Sequence, residues 1–250
     1  MPSFYANTVN ELAKLLARRK TVVFLVLTAM IPIAAAAAAS QFQFGFGVAA
    51  LTSADFPVVL LGSYTAVYLP LLLFMTASDM FAGETGDKTM KLLLTRPITR
   101  FQAFASKLAA MLGYAALHLA IALIVSLASL LFLSGVGAVG QGLGRTAAAY
   151  VTSLLPLFTL GLAAAFIAQF FKNGSGALTV CILLYASAKL GAYFVPALAV
   201  YTPAAYTDWH MLWLGASVAS GKILNVFMFL AACCILFFTG GYTIFERKQY

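Results

Sequence analysis

Seven of the chain's 22 charged residues (15 basic, 7 acidic) fall in "ETGDKTMKLLLTRPITRFQAFASK" at 84–107. They are Glu84, Asp87, Lys88, Lys91, Arg96, Arg100 and Lys107. Their spacing suits helix capping and docking rather than bond-making. Glu84, Thr85 and Asp87 put acceptors and negative charge where a helix N-terminus favours them. "KTMKLLL" follows as a short amphipathic turn or two, and Pro97 disfavours helix at Arg96 before it. Thr99 and Gln102 have the spacing of a capping box, with Ile98 and Ala103 as a weak staple, so a new helix should start there and run through Lys107. The expected product is a rigid knob, apolar on one side and basic on the other.

Other reactive side chains are sparse. "GASVASGKI" at 215–223 approaches a phosphate-binding loop but has one residue too many and Ile223 in place of the magnesium-binding hydroxyl. Any ATP and Mg chemistry must then come from a partner. Cys181, Cys233 and Cys234 lie in apolar runs with no metal spacing, and read as packing residues. No pair of carboxylates or histidine cluster suggests metal or proton chemistry. Lys189 is the one charge deep in an apolar run, with Tyr185 and Tyr193 a turn away on either side. It fits either a translocation path or dimer interface, or a lysine snorkelling outward. Tyr64 and Tyr68, one turn apart, could line an inner face with Thr65, or simply pack. Asp79 reads as an interfacial acid at the end of its run.

The elements that must position these groups belong in a bilayer. The 250 residues are 63% hydrophobic and 9% charged, against roughly 25% charged in a soluble domain, and the mean hydropathy is +0.97. A net charge of +8 then reads as membrane orientation, and nucleic acid is excluded as a partner for want of a basic, aromatic platform. Six stretches have the ~20 apolar residues that span a bilayer as a helix: 21–39, 56–78, 108–134, 147–171, 177–199 and 222–245. If the N-terminus is cytosolic, the inner segments hold Lys14, Arg18, Arg19, Lys20, Lys88, Lys91, Arg96, Arg100, Lys107, Lys172, Arg247 and Lys248, which is 12 of the 15 basic residues. Both termini are therefore expected in the cytosol, with the chain in a cytoplasmic membrane. Residues 1–20 suit an interfacial helix, with Phe4, Val9, Leu12, Leu15 and Leu16 facing membrane lipid and Asn7, Asn10, Glu11, Lys14 and Arg18 away from it. The Gly-rich stretch 135–146 is expected as a flexible loop. Residues 200–221, with Tyr201, Tyr206, Trp209 and Trp213, are expected as short helices dipping into the outer leaflet.

The order of residues in "FAGETGDKTMKLLLTRPITRFQAFASK" resembles the coupling segment of six-helix permeases of the type-2 ABC exporters. The elements that carry the resemblance are Glu84, Gly86, Leu92 to Leu94, Arg96, Pro97, Ile98, Thr99, Arg100 and Lys107. The sequence departs at Lys88, where members of that group often have a small residue. The resemblance implies one all-α membrane domain over 1–250: six transmembrane helices, an interfacial helix at 1–20, a cytosolic coupling segment at 84–100 and a re-entrant pair at 200–221. It implies that Glu84, Asp87, Lys88 and Lys91 touch a separate ATPase subunit, and that Arg96, Pro97 and Arg100 fix the elbow into the third span. It further implies a permease dimer with two ATPases, exporting an amphipathic peptide, antibiotic or lipid-like molecule. A secondary transporter or channel is the main alternative, although such proteins carry repeats or several intramembrane polar residues. "NGSGA" at 173–177 has the Gly-x-Ser-Gly flavour of intramembrane serine proteases, but Ser175 falls in an inner turn away from His118 and His210.

Overall fold

The computed structural model describes residues 2–46, 55–87, 89, 98–195, 200–214 and 220–248. Among these there is no strand, and six helices are long and apolar enough to cross a membrane. Helix α1 covers Pro2–Leu16. The spans are α2 (Arg19–Phe46), α3 (Phe56–Gly86), α4 (Arg100–Gly137), α5 (Gly142–Ala168), α6 (Gly174–Phe194) and α7 (Ser220–Arg247). The six expected apolar runs thus coincide with six helices. Two 3-10 turns, Pro203–Tyr206 and Trp209–Trp213, stand between α6 and α7.

Helices α3 and α5 lie innermost. Leu61, Leu69, Leu72, Leu73 and Ala77 of α3 are buried with Leu157, Ala164, Ala165 and Ala168 of α5. Without a hydrophobic effect between helices in lipid, close approach of backbones supplies the packing energy, and small residues permit it. At Gly161 a Cβ would come within 2.8 Å of the Met111 methyl from α4.

Helix α3 contains two π-helical turns, Tyr64–Tyr68 and Ser78–Gly83. Pro70 sits just after the first and has no N–H to offer the carbonyl of Ala66. The hydroxyl of Tyr185 on α6 donates to that carbonyl at 2.6 Å. The proline defect is thereby satisfied by a neighbouring helix, as hydrocarbon requires.

Two expectations need correction. The glycine-rich 135–146 is helical apart from one break at Gly135, whose φ of +78° only glycine adopts without strain, so α4 runs into α5 with a kink instead of a loop. In α1 the buried face is Asn7, Glu11 and Leu15, at 6%, 1% and 3% exposure, while Phe4, Tyr5 and Val9 stay exposed. The helix turns polar residues onto the bundle because α4 offers polar partners there.

Candidate coupling site

The end of the bundle that carries α1 is held together by ion pairs. Lys107, fully buried on the second turn of α4, places its Nζ 2.6 Å from Glu84 Oε2 and 3.0 Å from Glu11 Oε2. Glu11 also takes Lys14, at 2.7 Å. One residue along, Ser106 accepts a hydrogen bond from the Asn7 amide. Asn7 and Glu11, one turn apart on α1, meet the consecutive Ser106 and Lys107 of α4, so two helix faces join through polar pairs. Burial pushes the Glu11 carboxyl up, but Lys107 and Lys14 outweigh it and hold the group below the usual carboxylate range. A second knot joins Arg18, at 3.1 Å, and Lys20 to Asp79 on the last turns of α3. The linker between α1 and α2 is thus tied to the foot of α3.

Rigid points flank the 84–100 segment on both sides. At Gly86 an added Cβ would lie 2.4 Å from the carbonyl oxygen of Lys172, so only glycine fits against the α5–α6 turn. That turn is itself fixed, since the Asn173 side chain accepts from the Ser175 N–H at 2.9 Å and caps α6. On the return side the capping box is formed: Thr99 Oγ1 accepts from the Gln102 N–H at 3.2 Å, and Gln102 Oε1 from the Thr99 N–H at 3.3 Å. Arg100 then donates to the main-chain carbonyls of Glu246 and Lys248 at the end of α7. A cation suits that helix C-terminus. Behind it, Phe104 packs on Phe81 of α3 and on Phe238 and Phe245 of α7, with ring centroids 5.4–5.7 Å apart.

Of the expected contact residues, Asp87 is exposed and Thr89 beside it also faces out. Glu84 turns its carboxylate inward onto Lys107, and Gly86 and Arg100 serve internal contacts. Lys88, Lys91, Arg96 and Pro97 lie outside the described residues. A polar crevice of about 440 Å3 opens here, with Lys14, Arg18 and Lys20 on one wall and Asp79, Glu84 and Asp87 on the other. Glu11 and the burial of Lys107 were missed by sequence reasoning. One signal was present: an acid on an otherwise cationic segment, in a chain with seven acids, demands a local partner.

The expected intramembrane residues do not converge on one path. Tyr64 donates to the Thr28 carbonyl at 2.5 Å and Tyr68 to the Phe24 carbonyl at 2.6 Å, so both stitch α3 to α2. Tyr185 bonds α3, as above. Lys189 donates to Thr207 Oγ1 at 2.7 Å, beyond the first 3-10 turn, with its ammonium 5.8 Å from the Tyr185 ring centre. It reaches toward the 200–214 segment, in the manner of a snorkelling lysine. The side chain of Tyr193 is outside the described residues.

The family model described as ABC-2 family transporter protein matches residues 9–189. No curated protein matches the chain. The matched stretch begins two residues before Glu11, contains residues 84–100 and Lys107, and ends at Lys189. Six apolar helices, a braced polar segment at one end and a family match over most of the length agree: the chain belongs to the ABC-2 family of transporter proteins, as a multi-pass membrane permease.

Proposed function

We propose that the chain is the permease subunit of an ATP-driven exporter in a cytoplasmic membrane. It works as a dimer with two copies of a separate ATPase, which binds the ATP and Mg, and both termini lie in the cytosol. The single observation that carries this reading is the double anchoring of the 84–100 segment. Its entry is held by Glu84 on Lys107 and by Gly86 on Lys172, and its exit by the Thr99 box and Arg100 on α7. A segment docked on an ATPase transmits motion only when its ends are stiff. Asp87, with Lys88 and Lys91 beyond it, supplies the charges that meet the ATPase groove, and Arg96 with Pro97 makes the elbow. The exposure of Phe4, Tyr5 and Val9 supports a reading of α1 as a helix along the lipid interface. The cargo is amphipathic: a peptide, an antibiotic or a lipid-like molecule.

The test is reconstitution in liposomes together with the partner ATPase, sought first among the products of adjoining reading frames. Transport that needs ATP and a two-plus-two complex are expected. A lone monomer that transports without ATP would refute the reading.

A further inference from the structure

An apolar cavity of about 190 Å3 lies between α3, α5, α6 and α7, beneath the first 3-10 turn. Phe74, Leu160, Ala164, Cys181 and Phe237 form its walls. Leu184, half-exposed, forms a lip toward the surface of α6, and Ala188 and Pro203 close the other side. A cavity of about 150 Å3 lined by Leu, Ile and Phe stays dry and takes benzene, so this one suits several methylenes of an apolar guest. The lip lies on a helix long and apolar enough to cross a membrane, which in a bilayer would set it against hydrocarbon. Next along α6 from Ala188 comes Lys189, the one charged residue of Gly174–Phe194. Its ammonium bonds one neutral oxygen, Thr207 Oγ1. Among the described residues no carboxylate lies within ion-pair distance of it, and Asp208, whose charge acts on it, is exposed.

We propose that this cavity binds one acyl chain of an anionic phospholipid from the leaflet on the 200–214 side, with the headgroup phosphate held at Lys189. The apolar walls take the chain by burial, and a lysine at interfacial depth takes the phosphate as a point charge. The site is separate from the coupling segment and stands whether or not an ATPase drives the protein.

The test uses the full chain in nanodiscs of phosphatidylcholine and phosphatidylglycerol, with a diazirine near the end of one acyl chain of either lipid. Photolysis with the phosphatidylglycerol probe should concentrate crosslinks on peptides containing 181–188 and 202–204. Ala164→Phe fills the cavity and should lower those crosslinks several-fold, leaving those on exposed Val26 and Ile235 unchanged. Ala188→Phe, at the rim, makes the same test if Ala164→Phe does not fold. Lys189→Gln should reduce the phosphatidylglycerol yield to that of the phosphatidylcholine probe. Crosslinks spread evenly over all lipid-facing helices, or unmoved by a folded filling variant, would overturn the site. A headgroup preference that survives Lys189→Gln would overturn the phosphate contact.

Discussion

Lys107 holds Glu84 at 2.6 Å across the gap between the third span and the foot of the second. Its other partner, Glu11, brings in α1. One ammonium thus joins three segments that are far apart in the chain, beside the start of the proposed coupling segment. A buried charge is tolerated because two carboxylates and their hydrogen bonds replace its water.

Removal of that ammonium should be costly. Lys107→Met leaves Glu11 and Glu84 facing each other without their shared cation, a loss on the order of 3–5 kcal/mol. The double variant Glu11→Gln, Lys107→Met should recover part of it. Thermal unfolding in detergent micelles reads both. A Lys107→Met protein that melts with the native one would show that the triad does not brace the fold.

The same cluster predicts a pH dependence. The folded protein holds the Glu11 carboxyl below its ordinary value of 4.5, so the fold favours the ionised form. The stability this supplies is fully present above the ordinary value and fades as the pH falls below it. The melting temperature should therefore drop on acidification through that region, and Glu11→Gln should flatten the drop. Parallel pH profiles for the two proteins would remove Glu11 as a contributor.

Tyr185→Phe removes the donor to the Ala66 carbonyl at the proline defect of α3. In a bilayer such a bond is worth about 0.6–1.7 kcal/mol. The expected result is a small drop in melting temperature with faster amide exchange in α6, its partner across the bond. Unchanged exchange in α6 would mean that another group satisfies Ala66.

Much of this was legible in the sequence. The six spans follow from apolar runs of bilayer length, and the Thr99–Gln102 box from its three-residue spacing; both are local patterns. The face of α1 was not legible. Amphipathicity assigns polar residues to water, whereas Glu11 and Asn7 find Lys107 and Ser106 about a hundred residues away. The π-helical turns were hidden too, because the group that satisfies Ala66 sits on another helix. Glycines at 135–146 read as a loop since glycine weakens helices, yet only Gly135 takes a non-helical conformation there.

Coupling supplies the last prediction. ATP-driven closure of an ATPase pair would push the segment beyond Asp87 as a lever, and force reaches α3 and α4 only if both ends resist bending. Gly86 resists by direct backbone contact with the Lys172 carbonyl, and a methyl group placed 2.4 Å from that oxygen must force the two apart. In the proposed coupling, the φ that any proline fixes would stiffen the chain at position 97, and glycine would release it. Gly86→Ala and Pro97→Gly should each lower substrate-stimulated ATPase activity and transport by the reconstituted complex, with membrane insertion intact. Glu84→Lys belongs to another class: it sets a second ammonium against Lys107 and should lower the melting temperature before it reports on coupling. Basal ATPase activity separates the cases, since a decoupled but folded permease leaves it near the native level. If Gly86→Ala and Pro97→Gly both keep full stimulation and full transport, the 84–100 segment is a charged loop that orients the chain and nothing more.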